Sequence, residues 1–209
     1  MVKKFFFTTD RLGAFSDGVF AIAITLLVLD LKIPENSHLS FKEAIIAMLP
    51  KIEIWVISFF AIGASWVHHH NIMVLLKRSN TTLLWLNLAF LMLISLMPWP
   101  TWLIGTYQFQ PLSMAFFSGT LGMAGTIMLI LWIYAAKDSH LTAKGINLKT
   151  MKLTTFLIMR IPLIALISII LAFVHFKYAL YVWLLHPVLG FFMRRMIPGT
   201  NPDLEVFSN

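Results

Sequence analysis

A few side chains capable of chemistry stand inside long apolar stretches of this sequence: Asp17, the run His68-His69-His70, Asn87 and Arg160. A carboxylate and an imidazole in such a setting can relay protons, and three histidines can hold a metal ion. The spacing argues against the metal, because consecutive residues on a helix point about 100° apart and cannot converge on one ion as an i, i+4 pair does. One histidine is expected to face inward and hydrogen-bond, near enough to Asp17 to satisfy it, with the others reaching an interface beside Lys77 and Arg78. The Asn87 amide needs a partner across helices. Arg160, with Pro162 beside it, is expected to snorkel to the nearer interface. No G-x-S-x-G, H-E-x-x-H, phosphate-cradling glycine loop or pair of intramembrane carboxylates is present, so no catalytic residue is assigned.

The elements that carry these residues follow from composition. Of 209 residues 59% are hydrophobic and 12% charged, and the mean hydropathy is +0.83. One soluble core cannot hide so much apolar surface. A bilayer core takes about 20 apolar residues per helix, and six runs of that kind occur, at about 12–33, 50–76, 82–104, 111–136, 153–175 and 178–196. The expected fold is an all-α integral membrane protein, with one six-helix domain over 1–196 and a disordered tail over 197–209. The net charge of +7 comes from short clusters between runs and forms no basic face for nucleic acid. With the N-terminus inside, eleven Lys and Arg are cytoplasmic and four (Lys32, Lys42, Lys51, Lys177) are outside, which supports N-in and C-in. The first run lacks a cleavage pattern and is expected to be retained. No cysteine is present, which excludes disulfides and thiolate sites.

Local signals punctuate these runs. Lys3 and Lys4 precede Phe5 to Phe7 as an interfacial anchor, and Ser40 with Glu43 forms a capping-box pattern opening the second helix. Pro98-Trp99-Pro100-Thr101-Trp102 reads as a helix terminus in an aromatic belt. Ala115/Gly119 and Ser118/Gly122 let a neighbouring helix approach. The loop 137–152 is the longest and most basic on the inside, and His186-Pro187 predicts a kink.

The first run, from Arg11 to Pro34, carries twelve uncharged residues between Asp17 and Asp30. Projected at about 100° per residue, Phe15, Gly18, Ile22, Thr25, Leu29 and Ile33 fall in one narrow stripe, while Asp17 points to nearly the opposite side. The stripe suits a lipid-facing surface, a packing seam or the wall of a conduit.

Arg11-x-x-x-Phe15-Ser16-Asp17 resembles the signature of the transmembrane protein 175 family of lysosomal and bacterial potassium channels. Trp66-x-x-His69, the W-L-N-L around Asn87 and the proline-rich end of the third run are similar to further features of that family. A single motif resembles the bacterial type, with one six-helix unit per chain. The resemblance implies a homotetramer in the cell membrane, potassium as the permeant ion, no cofactor and a pore lined by the first helix. It implies constrictions five, eight and twelve residues after the motif aspartate, at Ile22, Thr25 and Leu29. It also implies a hydrogen-bond network of Arg11, Ser16 and Asp17 with Trp66 and His69.

Two other classes compete with the channel. A proton-coupled secondary transporter would use Asp17 and His69 as a relay, but the broken helices in paired repeats that such folds show are missing from the sequence. A non-transporting scaffold would carry no flux.

Overall fold

The computed structural model describes residues 8–32, 40–107, 110–138, 140–142 and 148–189. Ile33, the leader with Lys3 to Phe7, the sixth run beyond Leu189 and the tail 197–209 lie outside the described residues. Five helical stretches are long and apolar enough to cross a membrane among those residues.

Helix α1 (Thr9–Leu26) tightens into a 3-10 turn over Leu27–Asp30. Helix α2 (Phe41–Leu75) opens at Ser40, whose hydroxyl and backbone N–H meet the Glu43 carboxylate in a complete capping box. It runs unbroken past Pro50 for 35 residues, about 52 Å at 1.5 Å per residue. That exceeds a bilayer core of about 30 Å. Helix α3 (Thr81–Leu96) starts where the Asn80 side chain accepts from the Leu83 N–H. Pro98, having no N–H, interrupts the ladder, but the chain restarts at once as α4 (Pro98–Thr106), so Thr81–Thr106 is one apolar stretch. The proline cluster is a joint rather than the expected terminus. The Thr101 hydroxyl occupies that joint, 2.9 Å from the Met97 carbonyl and 3.2 Å from the Ser58 hydroxyl.

Helices α5 (Pro111–Lys137) and α6 (Leu148–Val174) form the most extensive pairing. A Cβ on Gly122 would stand 2.6 Å from Ala165 Cβ, and one on Gly125 2.5 Å from Ile161 Cγ2. The close approach therefore uses Ser118, Gly122 and Gly125, whereas Gly119 meets nothing within 4 Å. Helix α7 (Phe176–Tyr181) passes through a 3-10 turn, Val182–Leu184, into helical residues 185–189. It is tied down by Trp183 Nε1, which donates to Ser118 Oγ at 3.0 Å, while Ser168 Oγ donates to the Ala179 carbonyl at 2.6 Å.

The basic loop is shorter than expected, because Lys149 and Lys152 are already helical. Its described part folds back on the end of α2: Leu141 is fully buried and its carbonyl accepts from the N–H groups of Lys77 and Arg78. Arg160 is only 7% exposed, with Nε donating to the Leu157 carbonyl at 3.3 Å. It faces the interior of the helix bundle instead of reaching outward.

Packing this tight predicts an asymmetry between two glycines of one helix. Gly125→Ala is expected to lower stability in detergent by about 1–3 kcal/mol, since Ile161 and Pro162 are backed by their own helix. Gly119→Ala should be neutral or slightly stabilising through helix propensity. Thermal unfolding followed by tryptophan fluorescence compares the two; equal losses would refute the packing account.

The two faces of the first helix

Helix α1 divides into a face turned to its own bundle and a face turned away. Leu12, Ser16, Phe20, Ala23 and Leu27 are buried, a spacing of three and four that follows one side of the helix. Phe20 packs against both His69 and Phe90, each ring centre 5.8 Å away. On the other side Phe15 is 55% exposed, Ile22 61% and Leu29 57%, and Gly18 and Thr25 are exposed with them. In the single chain this stripe has no partner among the described residues.

The buried face carries a directed chain of polar contacts. His69 Nε2 lies 2.8 Å from Asn87 Oδ1, Asn87 Nδ2 donates to Ser16 Oγ at 3.0 Å, and Ser16 Oγ donates to the Leu12 carbonyl at 2.8 Å. An amide oxygen only accepts, so His69 carries its proton on Nε2; this tautomer is assigned from the network. The imidazole then stacks on Phe90, nearly parallel at 5.3 Å. Ser16 and Asn87 are wholly buried and His69 is 1% exposed. Each donor–acceptor pair therefore replaces water that is out of reach. Asn87 joins α1, α2 and α3 at one point. The sequence marks it as an amide in need of a partner, yet no spacing rule reveals which side chains it meets.

Asp17 is exposed and does not meet an imidazole. Its Oδ1 accepts from Trp66 Nε1 at 2.8 Å, joining α1 to α2 at the edge of the buried chain. Arg11 makes none of these bonds and is exposed. Eleven residues separate it from Ile22, about 1,100° of rotation, which returns it to within about 20° of the stripe. The three histidines also sort differently from expectation: both His68 and His69 are buried, and only His70 is exposed. His68 packs against His186 of the last helix, ring centres 5.0 Å apart. Among the described residues no three His, Asp or Glu side chains could hold a metal ion.

On the exposed face, Thr25 Oγ1 lies 2.9 Å from both the Ala21 and Ile22 carbonyls. Its proton is committed to the backbone, so its free lone pairs turn outward. The stripe thus offers an apolar ring position, a hydroxyl acceptor one turn on, and a second apolar position.

Asn87→Leu is expected to cost about 1–3 kcal/mol, because it leaves the Ser16 hydroxyl and the His69 N–H without the partner they have. Ser16→Ala should cost less alone, and the double variant less than the sum, since the two share one bond. Unfolding midpoints in detergent measure the cycle, and strict additivity would show that the chain is not an energetic unit.

Residues 11–98 match the family described as Endosomal/lysosomal potassium channel TMEM175. A potassium channel of Streptomyces collinus is 36% identical over 138 residues, 64% of this chain and 67% of that one. A potassium channel of Chamaesiphon minutus is 35% identical over 142 residues, 65% of this chain and 70% of that one. The crystal structure of a lysosomal potassium-selective channel TMEM175 homolog from Chamaesiphon minutus superposes with a TM-score of 0.76 at 28% identity, over 90% of this chain and 97% of that one. That family consists of ion channels and not of enzymes. From its apolar spanning helices, its matched relatives and its shared architecture, this multi-pass membrane protein belongs to the TMEM175 family.

Proposed function

We propose that this protein is a potassium channel of the bacterial-type cell membrane, a homotetramer of six-span subunits with both termini inside, whose pore is lined by α1. The single observation that carries the reading is the exposed stripe of α1, which runs opposite the face buried in the subunit. A uniformly lipid-facing surface has no use for Gly18 and an outward hydroxyl at Thr25. Four copies around an axis make an ion path of the same residues. The basic-residue asymmetry supports the orientation, and the relatives named potassium channels support the ion.

The mechanism follows from what the α-helical part of the stripe, through Leu26, can offer. Its carbonyls are spent on its own hydrogen bonds, so an ion meets only side chains. A ring of four Ile22 residues is apolar and narrow, and an ion passing it sheds much of its water. Potassium gives up water more readily than sodium, which favours it modestly. Thr25 returns oxygen ligands one turn later through its free lone pairs, and Leu29 forms a second ring at which dewetting closes the path. Phe15 and Gly18 line the inner approach; Ile33, outside the described residues, would line the outer one. Ser16, Asp17, Trp66 and His69 serve as structure around this path, while Arg11 stands exposed near its inner end. In the transporter alternative Asp17 and His69 would exchange protons, but Asp17 is bonded to Trp66 and His69 to Asn87. No contact between them favours that reading.

Purified protein in liposomes should carry a potassium flux that saturates only at high concentration and needs no proton gradient. Ile22→Asn, which puts amides where the apolar ring stood, should bring the potassium-to-sodium ratio close to unity. Absence of potassium current in the parent protein, or an unaltered ratio in the variant, would sink the assignment.

A further inference from the structure

Beyond Leu29 the chain reaches Asp30, the last residue of the 3-10 turn, and there the direction of the side chains divides. Leu29 is 57% exposed on the stripe, whereas Leu27 is fully buried and Asp30 only partly exposed. Asp30 lines a small cavity with Lys51, Trp55, Thr101, Trp102 and Gly105. The Lys51 stem crosses α4 there: a Cβ on Gly105 would stand 3.8 Å from Lys51 Cγ. Trp55 Nε1 is buried and has no hydrogen-bond partner among the described residues. The cavity holds about 20 Å³, enough for one water and no larger ligand.

We infer that Asp30 is a positioning residue for the Leu29 ring, clamped to α2 by one water that accepts from Trp55 Nε1 and donates to the Asp30 carboxylate, with the Lys51 ammonium at the same cavity to balance its charge. The role in permeation rests on the proposed pore. The donors around the cavity, an ammonium and an indole N–H, suit a carboxylate with a water between; a potassium ion would face the ammonium and is disfavoured. A 3-10 turn is tighter and less well bonded than an α turn. Leu29 therefore has little backbone support of its own, and fixing the neighbouring side chain fixes the turn that presents it. The short connection from Leu29 to Asp30 makes the clamp a determinant of the ring's width.

The chain has no cysteine, so Leu29→Cys gives a unique attachment point for a spin label whose mobility reports the turn directly. In that background Asp30→Asn, Lys51→Met and Trp55→Phe should each loosen the label, and the exchange Asp30→Lys with Lys51→Asp should restore it. In liposomes, without the label, Asp30→Asn and Lys51→Met should shift the potassium-to-sodium ratio by about two- to fivefold, the range that loss of one partly exposed charged group supports. The exchanged pair should return it. Unchanged label mobility in Asp30→Asn and Lys51→Met overturns the clamp, and unchanged mobility in Trp55→Phe alone overturns the bridging water. A ratio shift that the exchange does not rescue and that vanishes in high salt assigns Asp30 to surface attraction of cations, which also overturns it. If the parent protein carries no potassium, the pore reading fails, while label mobility still decides whether the clamp exists.

Discussion

An amide buried among three apolar helices has to be satisfied by side chains, and in this protein that requirement fixes how α1 is turned. Asn87 spends its oxygen on His69 and its nitrogen on Ser16, and Ser16 in turn spends its proton on the Leu12 carbonyl. Turning α1 by one residue would carry Ser16 about 100° away and strand two buried polar groups at about 1–3 kcal/mol each. Nothing comparable holds the helix by its aliphatic contacts, because in lipid one apolar neighbour is nearly as good as another. The polar chain is small, but it selects a single rotation, and with it which residues are left facing away.

What the outward face can then do is limited by the backbone behind it. Every α-helical carbonyl is already an acceptor, so the chemistry of the stripe is that of Ile22, Thr25 and Leu29 alone. Thr25 is the instructive case. A free hydroxyl could present either its proton or its lone pairs, but donation to the backbone leaves it an acceptor only. The same local bond that makes threonine an indifferent helix former suits it, in the proposed pore, to face a cation.

How much of this was legible in the sequence depends on the kind of signal. The apolar runs, the capping box at Ser40 and Glu43, and the grouping of Phe15, Gly18, Ile22, Thr25 and Leu29 depend only on composition or on the period of one helix. The first five of the six runs, the capping box and the grouping on one face recur among the described residues. Periodicity, however, gives angles about a helix's own axis and is silent about neighbours. Hence the residue types alone point Asp17 to an imidazole, whereas it meets the Trp66 indole that the family resemblance implies, and spacing ranks Ala115/Gly119 with Ser118/Gly122 although Gly119 makes no close approach. In a membrane, hydropathy also ceases to mark the buried side, because lipid-facing residues are as apolar as packed ones. Arg160 and His68 illustrate the other limit: the expense of a charge or an imidazole is readable, but whether it is met by an outside interface or by the bundle interior is decided by α6, α2 and the last helix together.

The distribution of restraints along α1 bears on how such a helix could change shape. Its first half is joined to α2 by Asp17 and Trp66, the middle is held by Phe20 against the stacked His69 and Phe90 rings, and Leu27 seals the far turn. Axial rotation breaks the buried polar chain outright, whereas a small tilt about Phe20 moves the two ends while leaving those bonds near the pivot in place. The α5–α6 pair, locked through Gly122 and Gly125, has no such freedom, since any tilt drives Ile161 into the facing backbone. Motion that alters the stripe is therefore cheapest as a tilt of α1 against a rigid α5–α6 frame. It displaces Ile22, two residues from Phe20, far less than Leu29, so of the two apolar positions of the stripe the one in the 3-10 turn is mechanically the softer.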